Sequence, residues 1–193
     1  MKNHENWDDL FLHGQCDFLH KPDELLQLAV IAQIVGRIAA RTGAVEVVDI
    51  GCGEGLLLEV LQPADVRRYV GIDVSPVALA RIPPSAIDTL RICSPISRWD
   101  GKPAPAAPRV LVASEILYYE EEGVEKLRSL STDGGAIAII ISCVAGRPDK
   151  PNWERAANRL WALVDGTGLK VVESCSVSDP VCGTRWDIKR LLP

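Results

Sequence analysis

The sequence predicts an α/β fold, a doubly wound and mostly parallel sheet of seven strands with helices on both faces. Three observations carry that expectation. Apolar strand-like runs alternate with helical periodicity along most of the chain, the pattern of strands joined by crossover helices. The run VVDIGCGEG, Val47 to Gly55, is a fully apolar strand that breaks into three closely spaced glycines. A second apolar run, YVGID, ends in an acid, Asp73. All 193 residues fit one domain, with 1–43 forming an N-terminal lid and helix and 44–193 a ligand-binding core.

Residues from about Asp23 to Thr42 read as a helix, with Pro22 before Asp23 at its start and Gly43 past its end. VEVVDI is the first strand, and Leu56, Leu57, Leu58, Val60 and Leu61 begin the helix that follows the glycines. RRYVGID, TLRIC and RVLVASEI are the second, third and fourth strands, the last after the Pro-rich linker GKPAPAAPR. The EEEG run at Glu120 to Gly123 reads as a solvated helix start favoured by the helix dipole. GAIAIIISC is the fifth strand, and NWERAANRLWALVDGTG is an amphipathic helix with a glycine stop. LKVVESCSV and TRWDIKRLL complete the sheet as two closing strands.

The glycine run is a nucleotide-binding turn. A residue without Cβ accepts the positive φ of a tight turn and lets backbone amides approach a ligand, while the next helix presents its free N-terminal N–H groups to the same ligand. Asp73 stands where doubly wound nucleotide folds place the carboxylate that holds both ribose hydroxyls. The dinucleotide pattern GxGxxG uses the same strand, turn and helix, but here Gly51, Gly53 and Gly55 bring the third glycine one residue early. Asp49 inside the strand end also argues against a nicotinamide-dependent oxidoreductase.

Together, DIGCGEG, GIDVSPVALA, VLVASEILYYE and GGAIAIIIS resemble the class I S-adenosylmethionine-dependent methyltransferases over roughly residues 45 to 193. The resemblance implies a Rossmann-like methyltransferase sheet and S-adenosyl-L-methionine as cofactor. It implies that Asp49 serves the methionine end of the cofactor, that Gly51, Cys52, Gly53 and Gly55 form the loop beneath it, that Asp73 binds the ribose and that Val74 lies against the adenine. The family often places an Asp just after the third strand to accept from the adenine amino group. Here TLRIC runs into SPISRW, so Ser94, the backbone around Pro95 and Ile96, or Ser97 stands in that place, and Asp100 lies further along. Ser114, at the head of SEILYY, joins the cofactor set. That segment looks most like the small-molecule branch around the nodulation N-methyltransferases, which act on amino sugars of chitooligosaccharides.

Ligands of open parallel sheets bind beyond the carboxyl ends of the strands, where strand order reverses. The glycine loop, Asp73, the Ser94 region and SEILYY all fall at such ends. Trp7, Phe11, Leu12, Phe18 and Leu19 precede the first strand and read as an aromatic lid that excludes water from the reaction. Methyl transfer needs alignment of a nucleophile with an activated methyl, and a base only where the nucleophile must lose a proton. The candidates are Glu115, Tyr118 and Tyr119 at the cleft, with His20 or His13 from the lid. Their bland readings are amide capping for Glu115, a packed and satisfied hydroxyl for one of the two tyrosines, and surface loop positions for the histidines. Arg147, Asp149 and Lys150 make a polar loop after the fifth strand that either borders the substrate or is simply solvated.

Charge and cysteine usage narrow the remaining classes. A net charge of −5 and a pI near 5.3 oppose broad nucleic-acid binding, which depends on Lys and Arg. Six cysteines without a CxxC pair indicate neither a zinc site nor a redox motif, so no metal is expected and the thiols point to a reducing cytoplasm. The polar, acidic start MKNHENWDDLF is unlike a signal peptide, and no apolar run looks long enough to span a membrane. A chain near the minimal core, with short loops at 144–152 and 178–184, favours a small molecule such as a sugar amine or natural-product intermediate. The competing reading is a fold relative that has kept the cleft without the chemistry.

Overall fold

A computed structural model describes residues 7–102, 107–119, 122–133 and 135–193. Glu120 and Glu121 of the acidic run, the middle of the Pro-rich linker and the first six residues lie outside the described residues.

Seven strands form one sheet: β1 (Val45–Ile50), β2 (Val66–Asp73), β3 (Asp88–Cys93), β4 (Arg109–Ser114), β5 (Ala136–Gly146), β6 (Lys170–Ser178) and β7 (Arg185–Leu192). Their order is β3-β2-β1-β4-β5-β7-β6. The first five strands pair in parallel, whereas β7 runs antiparallel to both β5 and β6. The sheet is therefore mixed, mostly parallel as expected, with β7 as its antiparallel strand. Chain length explains the reversal, since the short loop 179–184 can close an antiparallel hairpin but cannot make a parallel crossover.

The helices are α1 (Trp7–Leu12), α2 (Pro22–Thr42), α3 (Leu56–Val60), α4 (Pro76–Arg81), α5 (Gly123–Asp133) and α6 (Asn152–Asp165). Strand side chains alternate between the two faces they cover. Val48, Ile50, Val70, Ile72, Leu111 and Ala113 face a core completed by α5 and α6. Val45, Val47, Val66, Tyr69, Val110 and Val112 face a second core completed by α2, α3 and α4. That division is the doubly wound arrangement, and it leaves β1 buried along its whole length.

Helix α2 corrects one expectation. Its 21 residues are long and apolar enough, by length and composition alone, to cross a membrane. In the fold its stripe Ile31, Ile34, Val35, Ile38 and Ala39 packs into the second core. The stripe continues toward the N-terminus as Gln27 and Glu24, both buried, and these two polar residues reach the cleft described below.

At the amino ends of the two central strands, Arg109 Nε donates to Glu46 Oε1 at 2.8 Å, and neither side chain is more than 2% exposed. Arg109 Nη1 donates to the Gly101 carbonyl at 2.8 Å, and its guanidinium lies 5.5 Å from the Trp99 ring centroid. A buried pair whose remaining donors are also used is expensive to break, because removing one partner strands the other charge.

Candidate functional site

Strand order reverses between β1 and β4. From β1 the chain builds outward through β2 and β3, then returns to add β4 on the other side. A cleft of about 640 Å³ opens there, within the range of small-molecule sites.

Its first wall is the turn after β1. Gly51 has φ +70°, and a Cβ there would sit 2.6 Å from Ile116 Cγ1, so only glycine fits. The Gly51 and Cys52 N–H groups donate to the Ile72 carbonyl at 2.8 and 3.1 Å, which ties the turn to β2. Asp73, at the end of β2, accepts from Gly53 N at 2.9 Å through Oδ2 and from Ser75 N at 2.8 Å through Oδ1. Burial nevertheless pushes its carboxyl above the ordinary range, with these N–H groups opposing the shift.

Asp49 is 3% exposed, and its Oδ2 accepts from the Tyr69 hydroxyl at 2.6 Å. Burial pushes its carboxyl up to about 7, against the pull of the Tyr69 hydrogen bond and with further upward pressure from Asp73. No Lys, Arg or His pairs with it among the described residues. A buried carboxyl with one phenol for a partner gains from a cationic group brought beside it.

Ten of the expected cofactor residues line this cleft: Asp49, Gly51, Cys52, Gly53, Asp73, Val74, Ser94, Pro95, Ile96 and Ser114. Gly55 does not. It precedes α3 at φ +80°, where a Cβ would stand 3.0 Å from Ile82. Ser97 and Asp100 are exposed and lie outside the lining. Cys52 is buried in the loop, and its thiol is pushed well up, by burial above all, so it remains protonated.

The second wall comes from β4, β5 and α2. Glu115 lines the cleft in the left-handed region at φ +62°, a conformation that costs a non-glycine residue energy and tends to persist at functional sites. Its Oε1 is sealed from solvent without a hydrogen-bond partner. Burial pushes its carboxyl up to about 8, Glu24 adds to the rise, and Gln27, Arg147 and the Val144 N–H oppose it. Gln27 is fixed in turn, its Oε1 accepting from Ser142 Oγ at 2.5 Å and Ser114 Oγ at 3.4 Å.

The other catalytic candidates separate. Tyr119 lines the cleft and is 41% exposed, with Trp7 edge-on to its ring at 5.2 Å. Tyr118 is buried outside the lining, packs edge-on to Trp153 and accepts a hydrogen bond from Val144 N at its hydroxyl oxygen. His20 lies outside the lining and meets Glu54 Oε2 at 2.5 Å, a carboxylate that Arg81 also contacts at 2.7 Å. His13 hydrogen-bonds the Asp9 carbonyl at 2.8 Å, also away from the lining.

The lid segment closes one side. Phe11 is buried, and its ring would lie 3.5 Å from a Cβ on Gly53. Asp8 anchors α1 by accepting from Ser75 Oγ and, at 3.4 Å, from Val77 N, at the N-terminus of α4. Leu12 is 57% exposed and takes no part in the lining. In the loop after β5, Arg147 and Lys150 line the cleft but Asp149 does not. Glu24, Gln27 and Trp153 complete the wall without having been singled out from the sequence. The signal for the first two was the continuation of α2's apolar stripe by polar residues at the same helical spacing.

Elsewhere, Asp23, Asp179 and Cys182 bring ligand-type atoms within 4.8 Å of one another. The Asp179 carboxylate is already engaged there by the Val181 and Cys182 N–H groups at 2.7 Å.

No family model and no curated protein matches the sequence. Solved structures do match in fold. The chain is similar to the N-methyltransferase NodS from Bradyrhizobium japonicum WM9, crystallised with S-adenosylhomocysteine, at TM-score 0.66 and 17% identity over 98% of this chain and 92% of that one. It is similar to the magnesium protoporphyrin IX methyltransferase ChlM from Synechocystis PCC 6803, also with S-adenosylhomocysteine, at TM-score 0.70 and 12% identity over 95% and 96%. The 1,6-didemethyltoxoflavin-N1-methyltransferase from Burkholderia thailandensis aligns at TM-score 0.69 and 13% identity over 97% and 85%. The chain has the fold of the class I S-adenosylmethionine-dependent methyltransferases.

Proposed function

We propose that the protein transfers a methyl group from S-adenosylmethionine to an amine or hydroxyl of a small molecule, such as a sugar amine or a natural-product intermediate. The observation that carries this reading is the pair of acids at the ends of β1 and β2. Asp49 is buried with no cationic partner among the described residues, and Asp73 is held by backbone N–H groups beside a glycine turn. A ligand with a cationic amino-acid end and a ribose diol answers both. Fold neighbours crystallised with S-adenosylhomocysteine, one of them also with 1,6-didemethyltoxoflavin, support a small-molecule acceptor.

When bound, the cofactor supplies a methyl group already activated on a sulfonium. The chain's own residues do the rest. Asp49 draws the cationic end inward, Asp73 orients the ribose, and Val74, Pro95 and Ile96 offer apolar contact to the base. Trp7, Phe11 and Phe18 keep water from the reacting atoms. Glu115 is the acid assigned to the acceptor; Tyr118 and His20 support the cleft from outside its lining, one packed behind its wall and one pairing with Glu54 of the glycine turn. We assign the protein to the cytoplasm on the strength of its six free cysteines.

Calorimetric titration with S-adenosylhomocysteine, and NAD as the control ligand, tests the reading. Binding of the former alone, followed by label transfer from methyl-labelled cofactor to an added acceptor, is the expected result. Binding of NAD alone, or of neither, overturns it.

A further inference from the structure

The cleft's second wall carries an imbalance that the cofactor reading leaves unused. Two carboxyls, Glu24 and Glu115, face this wall, and Glu24 stands close enough to disfavour the charge of Glu115. Arg147 is the guanidinium beside them, and it is shared elsewhere, with Nη1 3.7 Å from Glu24 Oε1 and Nε 3.6 Å from Asp149 Oδ1. Glu115 is thus left with a sealed, unpartnered oxygen. Trp7, Tyr119 and Trp153 line the same cleft, and Leu10, Phe18 and Leu28 extend its apolar surface.

We propose that Glu115 and the aromatic set Trp7, Tyr119 and Trp153 form the acceptor subsite, and that the acceptor is an amine carried on a flat apolar body. The proposal rests on the methyltransferase reading and narrows it.

Two arguments select that chemistry. An unpaired buried carboxyl gains most from a group that brings positive charge, because ammonium and carboxylate together escape the cost of a lone buried charge. Aromatic faces attract a cation, and faces and edges alike pack against a flat ring. Glu115 also has a chemical task in this arrangement. An amine arrives largely as its ammonium, and the ionised carboxyl accepts one proton to leave a nucleophilic lone pair. The nitrogen lone pair then forms the N–CH3 bond as the S–CH3 bond breaks. Positive charge passes from sulfur to nitrogen, the sulfonium becomes a neutral thioether, and the proton on Glu115 returns to solvent. Burial holds the Glu115 carboxyl near 8, where exchange with an amine is closely balanced. The groups that bear on that exchange are Glu24 from α2, Arg147 after β5, and Tyr118, Tyr119 and Cys143 on either side of Glu115.

The test uses full-length protein first saturated with S-adenosylhomocysteine, so that failure at that step sinks the cofactor reading and not this one. Benzylamine, 2-phenylethylamine and tryptamine are then titrated beside their alcohol counterparts and glucosamine. The expected result is that at least one arylalkylamine binds ten-fold or more tighter than its alcohol and than glucosamine. Glu115→Gln should erase that preference while S-adenosylhomocysteine affinity stays within two-fold. Equal binding of amine and alcohol, a preference for glucosamine, no binding of any arylalkylamine, or a preference that survives in Glu115→Gln overturns the proposal. The wild-type comparison stands by itself should the variant fold poorly.

Discussion

The two halves of the cleft are built on opposite principles. On the β1–β2 side, acids and amides come from short stretches of chain and most of their hydrogen bonds are already made. Asp73 accepts from Gly53 and Ser75, and the turn amides donate to Ile72. On the β4–β5 side, Glu115, Glu24, Gln27, Arg147 and Trp153 arrive from four separated segments, and one carboxyl oxygen and one guanidinium nitrogen have no hydrogen-bond partner. The contrast teaches that one wall of the cleft has its polar groups largely satisfied in advance while the other leaves polar capacity open.

The sharpest way to break the contrast is at the residue that touches both halves. Gly51 turns after β1 and packs on Ile116 after β4, so Gly51→Val adds a forbidden φ and a backbone-adjacent clash. Strain and overpacking of that kind cost about 3 kcal/mol. Chemical denaturation should show that loss together with loss of S-adenosylhomocysteine binding. Next comes Asp73→Ala, which removes the acceptor of two N–H groups as well as the proposed ribose contact. Affinity for S-adenosylhomocysteine should fall by about 30-fold and stability by about 1–2 kcal/mol, as charged hydrogen bonds are worth. Unchanged affinity would remove Asp73 from the ribose.

A third effect is readable in pH. The Asp49 carboxyl, near 7 when folded against an ordinary value of 3.8, keeps a proton in the folded chain that the unfolded chain has released. Its contribution to stability is therefore present in full below about pH 4 and is lost as pH rises through 7. A cationic ligand end wants the ionised form, so affinity for S-adenosylhomocysteine should climb as pH rises toward 7 and then level. Asp49→Asn should flatten the curve below pH 7 and make the protein more stable than wild type at pH 8. The smallest effect belongs to Arg147→Met. Its ion pairs are long, at 3.6 and 3.7 Å, and worth less than about 1 kcal/mol. Melting and cofactor affinity should barely move, while binding of acceptors at Glu115 changes.

The same contrast explains how much the sequence reveals. Val47 to Gly55 and Asp73 are legible because strand, turn and acid are local, and their placement at the cleft follows from φ, burial and the missing Cβ. A mostly parallel sheet follows from alternation, but the antiparallel seating of β7 between β5 and β6 depends on pairing energies across the sheet that no local run displays. Of the tyrosine pair, one packs with its hydroxyl occupied, and only the tertiary contact with Val144 shows that it is Tyr118. Glu24 and Gln27 are hidden for another reason. Polar residues on an apolar stripe look like a frayed helix start until β4 and β5 are laid beside them. Asp8 capping α4 across 67 residues of chain is equally silent in the sequence.

The Glu46–Arg109 pair sits at the opposite pole of the central strands from the cleft. Cohesion and recognition are thereby assigned to different ends of the same two strands. An engineer could exchange the segments after β4 and β5 for foreign ones and redirect what the protein accepts, because the anchor that registers β1 against β4 would not feel the graft. The molecule is in that sense a chassis, with its keel at one end and its interchangeable fittings at the other.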